Sequence, residues 1–233
     1  GFALSLLFSI MASMIINFIF SHLNAITLGI WAIFFVVVLV RFIRPHWVKN
    51  ISYVYLILIA IALHLFYAVF VTWGQYHLWS ISSDFTRMLL AAPLPLEAPL
   101  PWMLEYVRSY FEGPLGYFTY YAFGHFFFNI LVLFLVTGFF YAIFKFWDLR
   151  KNSFQTKEPE LLCVLMLISG WPGVVVLVPL GFVFAIIYSA GSLVFFKKDQ
   201  TSLLPAFLFA TPIALMGGET ILGLFNLYPL LKL

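Results

Sequence analysis

Apolar residues in this chain come in long unbroken runs, separated by short polar or proline-containing breaks. Crossing the hydrocarbon core of a bilayer takes a helix of about 20 apolar residues. Runs of that kind fill about residues 2–21, 25–43, 51–73, 119–144 and 203–218, and a longer one covers 160–196. The longest run exceeds a single span, and Gly170-Trp171-Pro172-Gly173 supplies the turn signal that divides it into 160–171 and 174–196. The first of these halves is so short that it must tilt or be shielded by its neighbours. A last piece, 220–231, holds Pro229 and reads as a half-helix or a frayed end, which leaves open whether it spans. No unit of 20–50 residues repeats.

The pattern predicts an all-α, polytopic integral membrane bundle. It has six to eight transmembrane helices, forms a single transmembrane domain over 1–233 and carries one long external loop. Composition sharpens this. Charged residues make up 9% of the chain and hydrophobic residues 64%, against about 25% charged in an average soluble domain. A soluble enzyme, a secreted disulfide scaffold and a disordered chain are excluded, and the single Cys163 has no internal disulfide partner. The net charge of +3 does not point to nucleic acid, because the basic residues flank apolar runs. The sequence opens at Gly1 inside an apolar run, so the true N-terminus is expected upstream. Residues 1–20 lack the basic region and small-residue site of a cleaved signal peptide.

Loop charges set an orientation. Loop 41–50 carries Arg41, Arg44 and Lys49, loop 145–159 carries Lys145, Arg150, Lys151 and Lys157, and loop 197–202 carries Lys197 and Lys198. All three read as cytoplasmic. Segment 74–118 has Arg87 and Arg108 against Asp84, Glu97, Glu105 and Glu112, and reads as external. Its prolines at 93, 95, 99 and 101 make the middle extended, and Pro101 opens a stretch, about 101–112, expected to form an amphipathic interfacial helix. Met103, Val107, Tyr110 and Phe111 would be its apolar side, and Trp73, Trp79, Trp102 and Tyr106 suit the headgroup level or a docking surface.

Ionisable groups within spans are costly and therefore functional candidates. His64 lies in the middle of 51–73 and His125 in the outer third of 119–144, at similar depth if those helices run antiparallel. Two facing imidazoles can ligate a haem iron and either alone a chlorin metal, whereas structural histidines satisfied by neighbouring polar groups are the alternative. Metal-binding spacings, Walker loops and dinucleotide fingerprints are absent, every aspartate falls in a predicted loop, and Glu219 reads as a boundary residue. Gly181, Ala185 and Ser189 are spaced by four on 174–196 and predict the closest helix–helix contact. The aromatic faces of 25–43 and 119–144 are expected to point at lipid or a neighbouring subunit.

Two loops carry a family likeness. Arg44-Pro45-His46-Trp47-Val48-Lys49-Asn50 precedes the helix 51–73, and Gln155-Thr156-Lys157-Glu158-Pro159-Glu160-Leu161-Leu162 opens the next apolar run, with Gly170-Trp171 and Leu204-Pro205-Ala206 following. Over about residues 40–215 this resembles the type IV prepilin peptidases, membrane aspartyl proteases of the GxGD type. His46 and Glu158 stand where that family has its two catalytic aspartates, and Gln155 and Lys157 replace the glycines of its second motif. Such proteases need two carboxyl groups sharing a proton, so the resemblance implies a relative without protease activity.

Three functions remain open. One is a non-catalytic subunit packing with other membrane subunits in a larger assembly, such as a secretion, pilus or energy-converting complex. The second is a diverged prepilin-peptidase-like protein, and the third a haem- or chlorin-binding subunit using His64 and His125. The composition and loop charges suit a bacterial-type inner, energy-transducing membrane.

Overall fold

The computed structural model describes residues 18–47, 50–151, 158–196 and 202–231. The predicted span 2–21, apart from its last turn, and Val48, Lys49, Gln155, Thr156, Lys157, Lys197 and Lys198 lie outside the described residues. Among the described residues all regular structure is helical. The elements are α1 (Leu23–Ile43), α2 (Tyr53–Ser82), α3 (Asp84–Ala91), α4 (Trp102–Glu105), a 3-10 turn (Arg108–Tyr110), α5 (Gly116–Ala122), a π-helical turn (Phe123–Phe127), α6 (Phe128–Lys151), α7 (Glu158–Ser169), α8 (Gly173–Phe196), α9 (Leu204–Leu224) and α10 (Tyr228–Leu231). Five described stretches are long and apolar enough to cross a membrane: Leu23–Ile43, Tyr53–Ser82, Gly116–Leu149, Gly173–Val194 and Leu204–Leu224. The protein is an all-α polytopic membrane bundle.

The chain divides into two compact units, Gly1–Leu63 with Leu131–Lys232, and His64–Ile130, where the sequence suggests a single domain. At the start of the first unit the expected break near residue 22 is a bend within helical structure. His22 N–H donates to Phe18 O at 3.2 Å and Ile26 N–H to His22 O at 3.0 Å, so the ladder carries through. Helix α1 also reverses an expectation. Its aromatic residues Trp31 and Phe34 are buried, and its exposed side is largely aliphatic, with Ile26, Ile30, Ile33 and Val36. Large flat rings offer the greatest packing area, so the bundle takes them inside.

Helix α7 is the centre of the first unit. Every residue from Leu161 to Ser169 is buried, most of them completely. Its 12 residues rise only about 18 Å at 1.5 Å per residue, less than the ~30 Å hydrocarbon core. Neighbouring helices rather than lipid therefore surround it. Lipid is as apolar as these side chains, so close packing holds the bundle together. The closest packing joins α8 and α9, the most extensively paired helices. A Cβ on Gly181 would lie 2.7–2.8 Å from three ring carbons of Phe207, and one on Gly218 would lie 3.4 Å from the Gly173 Cα. Gly170, at φ +65, makes the turn between α7 and α8, and Trp171 Nε1 donates to Leu231 O at 2.9 Å, fastening α10.

Helix α2 has 30 residues, about 45 Å, and so exceeds the hydrocarbon core by several turns. The sequence reading ended this span at 73 because Gly74-Gln75-Tyr76-His77 dilutes the apolar run. The helix continues to Ser82 because Trp79 has partners in the second unit, packing against the buried cluster Leu90, Phe118 and Ala122.

Candidate functional site

The second unit contains an arm, residues 83–115, which joins two stretches long and apolar enough to span a membrane. Ser83 starts α3 with a reciprocal cap: Thr86 N–H donates to Ser83 Oγ at 3.2 Å, and Ser83 N–H to Thr86 Oγ1 at 3.1 Å. A cap of this kind contributes about 1 kcal/mol, and it aims Leu90 at Phe118 and Ala122. After α3 the prolines keep the chain extended. Leu94 N–H donates to Phe111 O at 2.8 Å, and Tyr117 N–H to Ala92 O at 3.1 Å, so the two sides of the arm are laced together. Leu94 and Phe111 are buried at 5% exposure each. Gly116 makes this approach possible, since a Cβ there would fall 1.7 Å from Phe111 O.

Arg108 ties down the proline stretch. Its Nε and Nη2 donate to the two Glu105 carboxylate oxygens at 2.7 and 2.9 Å, Nη1 to Leu96 O at 2.9 Å and Nη2 to Ala98 O at 3.1 Å. The hydrogen bond from Arg108 is the main reason the Glu105 carboxyl is held below its ordinary value, and the same bond raises Arg108. Arg87 pairs with Asp84 at 2.6 Å, on the surface. Both arginines of the arm are thus engaged internally.

One continuous amphipathic helix over 101–112 is not what forms. The segment is a single α-turn, Trp102–Glu105, followed by the 3-10 turn Arg108–Tyr110. Two of the four bonds of Arg108, to Leu96 O and Ala98 O, hold the segment to the neighbouring proline loop, and that anchoring replaces helical propagation. The polarity of the segment changes with it. Phe111 points inward, while Trp102, Tyr106 and Tyr110 expose 74%, 86% and 78% of their surface, and Leu96, in the loop bound by Arg108, exposes 74%. The sequence reading sets Tyr110 with Phe111 on the apolar side and Trp102 and Tyr106 at headgroup level; the structure separates Tyr110 from Phe111, because Phe111 pairs with Leu94, 17 positions away.

The other candidates are dispersed. His64 is buried at 8% exposure on α2, and His125 is exposed in the π-helical turn, its ring stacked on Tyr121 at 4.2 Å. Among the described residues no cluster of three or more metal-ligating side chains occurs. His46 is exposed at the end of α1, edge-on to Trp47. Glu158, which stands at one of the aspartate positions of the prepilin-peptidase resemblance, is 2% exposed and accepts a hydrogen bond from Ser202 Oγ at 2.5 Å. Gly181 and Ala185 are buried on α8, and Ser189 on the same stripe is exposed. Glu219 is exposed on α9. A polar cluster that sequence reasoning missed closes one end of the first unit, where Lys145 Nζ meets Glu160 Oε1 at 2.8 Å beside the Glu158–Ser202 pair. Its signal is the pair of acids opening α7 in a span too short to stand in lipid.

No protein-family model, curated protein or solved structure matches this chain.

Proposed function

We propose that this chain is a non-catalytic integral membrane subunit of a larger assembly and that the external arm is where a partner subunit docks. The observation supporting this reading is the outward row of Trp102, Tyr106 and Tyr110, together with Leu96. The arm meets its own packing needs through Leu90, Leu94, Phe111 and Phe118, which leaves those rings unused by the fold. Trp and Tyr anchor protein interfaces well, because they bury large area at low entropic cost while keeping a polar edge. In this reading loops 41–50, 145–159 and 197–202 face the cytoplasm of a bacterial-type inner membrane and 74–118 faces outward. His46 and Glu158 carry no protease chemistry in it, since a buried carboxylate bonded to Ser202 and a surface histidine are not a proton-sharing carboxyl pair.

The test is affinity purification of the tagged protein from native membranes in a mild detergent, followed by mass spectrometry. The wild type is expected to bring down at least one stoichiometric membrane protein, and the triple variant Trp102→Ala, Tyr106→Ala, Tyr110→Ala to lose it at unchanged expression. A wild type that elutes alone from such membranes would refute the proposal.

A further inference from the structure

Two apolar grooves open on the surface of the first unit, and Phe209 of α9 borders both. One, about 390 Å³, lies between α8 and α9 against Phe184, Ile187, Tyr188 and Ala206. The other, about 350 Å³, lies between α1 and α9 against Phe35, Leu39, Phe42, Pro205 and Leu208. Phe209 is 71% exposed and forms the ridge between them. Both grooves reach the same end of the bundle, where α9 begins and α1 ends. The residue directly after the groove-lining Ile43 is Arg44, exposed, with its guanidinium 5.6 Å from the Trp47 ring. Trp47 is itself 69% exposed, as suits a ring at headgroup depth. Arg41 stands one turn before Arg44, its Nη1 on Pro45 O.

We propose that these grooves bind one anionic phospholipid, with an acyl chain on each side of Phe209 and the headgroup at Arg44. Two apolar grooves that share Phe209 as a common wall fit a two-tailed ligand, whereas a docking helix needs one continuous face. The charge at the open end selects the headgroup. Cations bordering a gap between membrane helices attract anionic lipid. Of the carboxylates at this end, Glu160 is paired with Lys145, and Glu158 is buried against the Ser202 hydroxyl. Tyr188 also lines the α8 groove.

The test places the purified protein in nanodiscs holding equal parts of phosphatidylglycerol and phosphatidylcholine and counts retained lipids by native mass spectrometry. One phosphatidylglycerol per chain is expected, preferred about fivefold for each engaged cation. Arg44→Gln should remove about one such factor while leaving phosphatidylcholine retention unchanged, and Phe209→Ala should lower retention of both lipids. Equal retention of the two headgroups by the wild type overturns the proposal without recourse to any variant. So does a wild type that keeps no lipid, one whose mass is a lipid-free dimer, or a Phe209→Ala protein with undiminished retention.

Discussion

Gly181→Ala probes the α8–α9 contact, the tightest helix pairing in the first unit. The added Cβ would sit 2.7–2.8 Å from the Cε1, Cδ1 and Cζ atoms of Phe207. Carbon atoms prefer about 3.5–4.0 Å, so the ring must move by roughly 1 Å or the helices must part. Phe207 is completely buried and packs edge-on against Phe182, so moving its ring disturbs the core. Overpacking of this kind costs about 1–3 kcal/mol, while replacing a mid-helix glycine by alanine returns about 1 kcal/mol. A net destabilisation of about 1 kcal/mol is expected, and Gly181→Leu should prevent the pairing altogether. Phe207→Leu withdraws the ring, so the Gly181→Ala, Phe207→Leu double variant should be more stable than the two single effects sum to, by about 1 kcal/mol. Reversible unfolding in mixed micelles, with all four proteins measured side by side, gives the cycle. Gly181→Ala stabilising by its full helix propensity, with no coupling to Phe207, would refute the reasoning.

The arm and the polar end of the bundle yield three further expectations. Gly116→Ala sets a Cβ against the backbone oxygen of Phe111, a clash no rotamer relieves, so hydrogen exchange at Leu94 and Tyr117 should rise sharply while α7 stays protected; unchanged protection at those amides contradicts the lacing of the arm. The Glu105 carboxyl is lowered from its ordinary 4.5, chiefly by the Arg108 hydrogen bond. A depressed carboxyl contributes its stability above that ordinary value and loses it as pH falls through the depressed one. Protection factors in residues 96–108, with the intrinsic pH dependence of amide exchange divided out, should therefore be flat above pH 4.5 and fall below it, and Glu105→Gln should abolish the step. Lys145→Ala leaves the Glu160 carboxylate, whose Oε2 is already buried without a hydrogen-bond partner, uncompensated. The expected cost is about 1–3 kcal/mol, below the 3–5 of a fully buried pair because Lys145 is 39% exposed. Unfolding in micelles reads it, and restoration by Lys145→Ala, Glu160→Ala is the control.

Runs of Phe, Leu, Val and Ile made the spans legible, and Gly170-Trp171-Pro172-Gly173 marked the division of 160–196, which the structure places at the α7–α8 turn. Hydropathy reads each segment against lipid and cannot read it against another helix. That is why Tyr53–Ser82 runs nine residues past its predicted end, where Trp79 finds protein partners. It is also why the aromatic face of 25–43 is expected at lipid or a neighbouring subunit, although Trp31 and Phe34 pack inside. The arm is legible as a long, proline-rich connection between two apolar runs. Its outward rings are not, because Leu94–Phe111 pairing and the Arg108 bonds join residues 10 to 17 positions apart. The burial of Glu158 depends on Ser202, 44 residues away, and leaves no local trace.

The central claim, that the arm receives a partner subunit, is tested most directly by a photo-activatable phenylalanine at position 106, irradiated in native membranes. Tyr106 is the most exposed of the outward rings. The account predicts one discrete protein adduct that disappears when Trp102 and Tyr110 are both changed to alanine. Adducts to lipid alone, with no protein band, would contradict it.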